Sequence, residues 1–360
     1  MANIISIGTA VPDNCHPQSD ILAFMQEAYA LDEAGKRKLA FLYRQSHIDK
    51  RYSVLPDFSV ITTENKLFGG KDAGNPSIGL RMELYDAEAP ALAIKAINNC
   101  LEGFAHPAEI THLITVSCTG MSAPGIDLQI AETLELDTAV FRTSVNFMGC
   151  YAAIHGLKLA KLIADSEPNA VIVVVAVELC TLHFQHVFNE DTAASSLLFG
   201  DGAAAVLISN RNTRKPLVCL QQFYSRIARN GKADMAWVIR DNGFLMTLSG
   251  YIPTLIEADI EALVDAALAK GNYNRQDIKH WCIHPGGRKI LDVIEKKLAL
   301  LPADTAPSRS VLAGYGNMSS PSVLFVLKEM MQVKPVQPEP IFAVAFGPGL
   351  TMETFTAIVQ

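Results

Sequence analysis

Along the chain, short unbroken apolar runs alternate with stretches whose apolar residues recur every three or four positions. NIISIGTA (3–10), THLITVSCTG (111–120), AVIVVVAVEL (170–179) and GAAAVLISN (202–210) have strand length and little polar alternation. That pattern predicts strands buried on both faces. Between them, APALAIKAINNCLEG (89–103) and YAAIHGLKLAKLIADS (151–166) have helical period. In the second half IEADIEALVDAALAKG (256–271) reads as a helix, and HWCIHPGG (280–287), IFAVAFG (341–347) and ETFTAIV (353–359) read as strands or strand ends. Strand–helix alternation of this kind predicts an α/β fold around buried sheets.

Laid on each other, the two halves match. HLITVSCTG and HWCIHPGG are each a strand running into a turn of small residues, and each is followed by a helix start, GCYAAIHGLKLAK or GNMSSPSVLFVLKE. Cys118 precedes Cys150 by almost the interval that separates His284 from Asn317. Each half closes on a glycine-rich turn beside a strand, FGDGAAAVLI or FGPGLTMETF. The pattern predicts a duplication, residues 1–212 and 213–360, split near the polar linker NRNTRKP (210–216). Two such halves bring two helix N-termini together near a pseudo-twofold axis, one carrying Cys150 and the other Asn317, with His284 at the end of a neighbouring strand. A helix dipole, backbone N–H groups and a nearby imidazole are then expected to lower the Cys150 pKa.

Composition narrows the class. Apolar residues make up 49% and charged residues 19%, an ordinary globular balance. A net charge of −7 argues against a nucleic-acid or membrane-surface binder. No apolar run reaches the ~18 residues of a membrane span, and MANIISIGTAVPDN lacks the basic start of a signal peptide. The seven cysteines are scattered without a CxxC pair, which points to a reduced, cytoplasmic chain without a disulfide framework or zinc site. FGDG and FGPG have neither Walker spacing nor a following lysine and read as tight turns.

Five segments in order, GCYAAIHGLKLAK, LFGDGAAA, HPGGRKILDVIEKKLAL, YGNMSSPSVLFVL and FGPGLTMET, resemble the type III polyketide synthases, the chalcone synthase-like family of thiolase-fold condensing enzymes. The resemblance covers nearly the whole chain. It implies two similar halves in a layered αβαβα arrangement, a homodimer, acyl-CoA and malonyl-CoA as substrates, and no metal or redox cofactor. Cys150 matches the acyl-accepting cysteine, His284 and Asn317 the oxyanion donors, and Phe199 an aromatic wall that favours loss of a carboxylate. Cys118, Thr119, Cys180, Ser195, Trp237, Met246 and Ser319 are expected to line the substrate cavity. Ser195 and Trp237 stand where plant members carry glycine, Met246 where they carry an aromatic residue, and Ala123 where they carry a methionine at the dimer interface. The two larger residues predict a narrowed chamber, while the flexible thioether of Met246 works the other way by moving aside for an alkyl chain; together they predict aliphatic starters and few extensions. For the CoA phosphates, Lys38 and Arg44 on the helical pattern 36–45 and Arg288 and Lys289 after HPGG are the candidates.

Three other readings stand beside this one. A 3-oxoacyl-[acyl-carrier-protein] synthase III-like enzyme shares the Cys, His and Asn but makes a single condensation. A papain-type Cys–His–Asn hydrolase would lack the paired halves. A catalytically inert partner subunit would have no need of an intact triad. Release of CO2 from malonyl-CoA separates a synthase from the last two, and product length separates the two synthases.

Overall fold

The apolar runs do become strands, and they assemble into one nine-stranded sheet. The computed structural model describes residues 2–59, 65, 67–68, 74–211, 217–228, 231, 234–332 and 335–360. The division expected between 212 and 213 lies outside the described residues, as does most of the linker 210–216.

In chain order, β1 (Asn3–Ala10) leads to a small ribbon, β2 (Asn14–Pro17) and β3 (Lys50–Ser53), which brackets α1 (Gln18–Ala28) and α2 (Glu33–Gln45). Then follow α3 (Ile78–Leu101), β4 (His112–Ser117), α4 (Ile126–Thr133), β5 (Phe141–Asn146), α5 (Ala152–Ser166), β6 (Val171–Leu179), α6 (Glu190–Leu198) and β7 (Asp201–Ser209). The second half has β8 (Val218–Ile227), a hairpin of β9 (Met235–Arg240) and β10 (Gly243–Leu248), α7 (Ile252–Lys270), β11 (His280–Ile283), α8 (Arg288–Leu298), α9 (Pro302–Tyr315), α10 (Ser322–Met330), β12 (Glu339–Gly347) and β13 (Thr351–Val359).

The strand order is β11-β12-β13-β8-β1-β7-β6-β4-β5. In one half β4 runs parallel to β6, β6 antiparallel to β7, and β7 antiparallel to β1. In the other, β11, β12, β13 and β8 repeat that sequence of directions. The halves meet where β1 pairs with β8 at Asn3 and Ile4. Every residue of β6 and β7 is buried, which is why these strands read as unbroken apolar runs.

Helices enclose the sheet in layers. α5 packs on β4 and β6 and also on β13; α10 packs on β11 and also on β7 and β1. These two helices form the middle layer, with α3 outside one half and α7, α8 and α9 outside the other. α5 sits very close to its sheet: a Cβ at Gly156 would stand 2.9 Å from Val174 Cγ1. α7 starts four residues earlier than its apolar period suggests, because Pro253 suits a first helical turn. The topology places Cys118 just past β4 as it places His284 just past β11, and Cys150 just ahead of α5 as it places Asn317 ahead of α10.

Candidate active site

After β5 the chain turns through Phe147 at φ 57° and Gly149 at φ 84°. At Gly149 any side chain would strike Pro348, since a Cβ would lie 2.2 Å from its Cδ. At Gly347 a Cβ would meet Tyr151 at 2.6 Å and the Cys150 nitrogen at 3.3 Å. The glycines of FGPG thus let that turn pack directly on the nucleophile segment, in keeping with a tight turn and not a phosphate loop. Cys150 emerges there, 9% exposed and just ahead of α5.

The expected lowering of its pKa does not occur in the free protein. Burial pushes the Cys150 thiol up to about 11, against the smaller opposing effects of hydrogen bonding from Ser319 and Asn317. Desolvation of the thiolate outweighs the helix start. Burial likewise pulls His284 down to about 3. The imidazole is 1% exposed, and neither of its ring nitrogens has a hydrogen-bond partner. Thiol and imidazole are therefore both neutral at rest.

Asn317 arrives from the other half. It forms an isolated parallel bridge with Phe199, through Asn317 N–H to Leu198 O at 2.9 Å and Gly200 N–H to Asn317 O at 3.0 Å. Its amide oxygen accepts from Ser319 N–H at 2.8 Å. That contact leaves the amide NH2 for the thiol side, consistent with its effect on Cys150.

These residues share one cavity of about 260 Å3. Cys150, His284 and Asn317 line it, and so do all eight residues expected on its wall: Phe199, Cys118, Thr119, Cys180, Ser195, Trp237, Met246 and Ser319. The Trp237 indole N–H donates to Cys118 O at 2.7 Å, so the ring is fixed. Beside Met246, Phe244 supplies an aromatic wall and stacks on His183 at 4.3 Å with a 9° tilt.

Several lining residues were not foreseen. His183 is pulled down to about 3 by burial, against the opposing contact with Thr119 O. Its neutral ring accepts from Phe244 N–H at Nδ1 and donates from Nε2 to Thr119 O at 2.7 Å. Ile21 and Met25 of α1, with Phe58 and Phe184, form an apolar wall. Behind the cavity, Glu178 is fully buried and pushed up to about 7 by desolvation. It accepts from Cys118 N–H, the Thr119 hydroxyl and the Ser320 hydroxyl. The signal for Glu178 was present in the sequence: it is the single charged residue in AVIVVVAVEL. Nothing local marks Ile21, Met25 or Phe58, because the tertiary fold alone carries them to the site.

Lys38, Arg44, Arg288 and Lys289 do not line the cavity. Lys38, Arg44 and Lys289 are exposed. Arg288, in the first turn of α8, donates to Gln45 Oε1 at 2.8 Å and pairs with Asp292. The end of α2 and the start of α8 therefore meet, close to the cavity-lining Gly286 and Ile290. Among the described residues no helix is long and apolar enough to cross a membrane.

Comparison with known proteins agrees with this arrangement over the whole chain. Residues 1–211 match the N-terminal domain of chalcone and stilbene synthases, and residues 219–359 match their C-terminal domain. The fold is similar to the C-terminal type III polyketide synthase domain of Steely1, a type I/III hybrid from Dictyostelium. That match has 29% identity, covers 99% of each chain and has a TM-score of 0.92. PKS-I from the brown alga Ectocarpus siliculosus is similar at 28% identity, over 100% of this chain and 98% of its own, with a TM-score of 0.92. The architecture is thiolase-like. With both family domains present in order around one Cys–His–Asn cavity, the chain belongs to the chalcone and stilbene synthase family and is a type III polyketide synthase, an acyltransferase that works on CoA thioesters.

Proposed function

We propose that Cys150 carries the growing acyl chain, that His284 and Asn317 stabilise the oxyanions, and that the enzyme extends aliphatic acyl starters a few times with malonyl-CoA. The observation that carries this reading is the meeting of Cys150, His284 and Asn317 in one cavity, with both nitrogens of the buried imidazole unpartnered. An unsatisfied buried donor or acceptor costs about 1–3 kcal/mol, and a thioester oxygen or a thiol proton relieves it.

In the loading step the Cys150 proton passes to His284, and the thiolate attacks the starter thioester carbonyl. The C–S bond to CoA then breaks, and CoA leaves as its thiol with the proton from His284. In the extension step the malonyl carboxylate leaves as CO2. The electron pair of the broken C–C bond becomes an enolate on the thioester oxygen. His284 Nε2–H and the Asn317 amide are the donors for that oxygen. The enolate carbon attacks the Cys150 thioester, the C–S bond breaks, and a β-ketoacyl-CoA forms with the thiol regenerated on reprotonation. No step calls for a metal or redox cofactor.

Trp237 restricts one side of the chamber while Ile21, Met25, Phe58 and Phe184 offer apolar wall on another. This favours alkyl over bulky aromatic starters, with cyclisation to alkylpyrones or small resorcinol- or phloroglucinol-type rings. Lys38, Arg44, Arg288 and Lys289 are the candidates for the CoA phosphates. We read the molecule as a cytoplasmic homodimer; β5 is one of the two edge strands of the sheet, with β11 at the other end, and carries an exposed Phe141. Mass spectrometry of products from malonyl-CoA with a panel of aliphatic and aromatic acyl-CoAs tests the reading. Intact-mass analysis should show one acyl adduct, absent in Cys150→Ala. An equal adduct on that variant, or efficient conversion of p-coumaroyl-CoA to a chalcone, contradicts it.

A further inference from the structure

A buried arginine that forms no salt bridge among the described residues lies beside the Phe199–Asn317 bridge, at the cavity lining. It is Arg51 of β3, 4% exposed. Its Nε donates to Gln18 Oε1 at 2.9 Å and its Nη1 to Phe199 O at 2.5 Å, while Nη2 is buried without a partner. A desolvated cation costs several kcal/mol unless something compensates it, so its surroundings need an account.

Part of the compensation comes from the nearby Tyr43 and the buried Asp201, and part from carbonyls at the end of a helix. The last carbonyls of an α-helix have no partner within it and carry the negative end of its dipole. At the end of α6 four consecutive carbonyls are each taken by a different donor. Tyr43 Oη–H serves Ser196 O at 3.1 Å and Gln18 Nε2–H serves Leu197 O at 2.8 Å. Asn317 N–H serves Leu198 O at 2.9 Å, and Arg51 serves Phe199 O. Two of those four carbonyls thus fix the backbone on either side of the Phe199–Asn317 bridge.

The stem of Arg51 reaches this carbonyl through a slot walled by glycine. A Cβ at Gly316 would stand 2.8 Å from Arg51 Cδ and 2.7 Å from Leu198 O; one at Gly200 would stand 3.4 Å from Arg51 Cβ. Gly200 follows Phe199 and Gly316 precedes Asn317, so the guanidinium stem passes beside both strands of the bridge. The Phe199 ring and the Asn317 amide face the cavity from that bridge. The nucleophile turn is held by a different set of contacts, those of Gly347, Pro348 and Cys118.

We infer that Arg51 is a positioning residue for malonyl decarboxylation: through the Phe199 carbonyl it sets the bridge that aims the Phe199 ring and the Asn317 amide. This rests on the role of Asn317 proposed above. It concerns extension more than loading, because the guanidinium holds the bridge and reaches the thiol only through the Asn317 amide that bonds it.

The test compares Arg51→Gln, Arg51→Lys, Gln18→Met, Asn317→Ala and the double variant Arg51→Gln/Asn317→Ala in the full chain. Melting curves accompany each. Readouts are kcat and KM for CO2 release from malonyl-CoA and, separately, the rate of acyl adduct formation on Cys150. Removing one oxyanion donor typically costs about 10²–10³-fold, and misplacing a group by 1 Å costs up to about 10²-fold. Arg51→Gln should therefore lower decarboxylation kcat by roughly 10–100-fold, with malonyl-CoA KM and loading rate each within about threefold of the parent. Arg51→Lys and Gln18→Met should shift kcat in the same direction by less, and they carry the test if Arg51→Gln does not fold. The double variant should be slower than Asn317→Ala by less than the full Arg51→Gln factor, because only the Phe199 share of the positioning is left to lose. Multiplying losses in the double variant overturn the inference while leaving the Asn317 role intact. A raised malonyl-CoA KM at unchanged kcat overturns it in favour of direct carboxylate binding by the free Nη2. If Asn317→Ala itself spares decarboxylation, the role of Asn317 and the inference fall together.

Discussion

Two residues of the proposed catalytic triad, Cys150 and His284, are held in their neutral forms. Both are legible in the sequence, because Cys150 stands at a helix start after an extended segment and His284 begins a small-residue turn where a strand ends. Their protonation states are not legible, since they depend on how much water the folded cavity excludes. Burial raises the thiol to about 11 and lowers the imidazole to about 3. At pH 7 the resting thiolate fraction is then on the order of 10⁻⁴. Raising the pH toward 11 increases that fraction tenfold per unit, so iodoacetamide should alkylate Cys150 about tenfold faster for each unit from pH 7 to 9. Rates measured with the Cys150→Ala variant as blank check this. A rate already at its plateau near pH 6 would instead reveal a resting thiolate–imidazolium pair. On the mechanism proposed above, proton transfer to His284 then awaits the substrate, whose carbonyl gives the charges their stabilising partners.

At the scale of elements, the long buried strands and the amphipathic helices follow from periodicity, and the polar or short elements do not. β5 is an edge strand, FRTSVN, with most residues exposed, so it carries no apolar run. The β9–β10 hairpin was readable from its turn, where Asp241 and Asn242 are followed by Gly243 at φ 117°. The same segment also carries the side chains expected on the cavity wall. Both descriptions hold, for the hairpin is what presents Trp237, Phe244 and Met246 to the chamber. Trp237 stands in edge-to-face contact with His183 at 5.5 Å and Phe244 at 5.8 Å, and its N–H is spent on Cys118 O. A tryptophan side chain buries roughly 150–250 Å2, so its removal opens room for further extension units. Trp237→Gly should shift the products toward longer chains by one or more malonyl units, read by mass spectrometry. Trp237→Phe keeps a ring but lacks the N–H and should leave chain length closer to the parent. An unchanged product profile in Trp237→Gly removes the tryptophan as the limit on length.

For the molecule as a whole, the repeated strand directions explain why two dissimilar loops meet: each half delivers its functional residue to the same end of its strands, and the middle layer of α5 and α10 lies between. The internal repeat made the triad visible, but not the residue that ties the loops together from behind. Glu178 takes Cys118 N–H and the Thr119 hydroxyl from one half at 2.9 and 2.8 Å and the Ser320 hydroxyl from the other at 2.7 Å. Desolvation raises its carboxyl to about 7, against the usual carboxylate range. The sign of the consequence follows from linkage. Below the unfolded-state pKa of about 4.3 both states hold the proton, and the group has no effect on stability. Between there and pH 7 the folded protein retains a proton that the unfolded chain has lost, so stability falls as pH rises. The loss is complete once pH passes the folded value. At 1.36 kcal/mol per pKa unit, the ionised group costs roughly 3–4 kcal/mol of folding stability. Glu178→Gln removes this titration while keeping an acceptor for the Cys118 and Thr119 donors. Melting temperatures of parent and variant should therefore diverge in the variant's favour between pH 5 and 8 and stay parallel above pH 8. A parent that gains stability relative to Glu178→Gln across that window would show that the carboxylate is held in its charged form, with the two halves joined by an anion and not by a neutral acid.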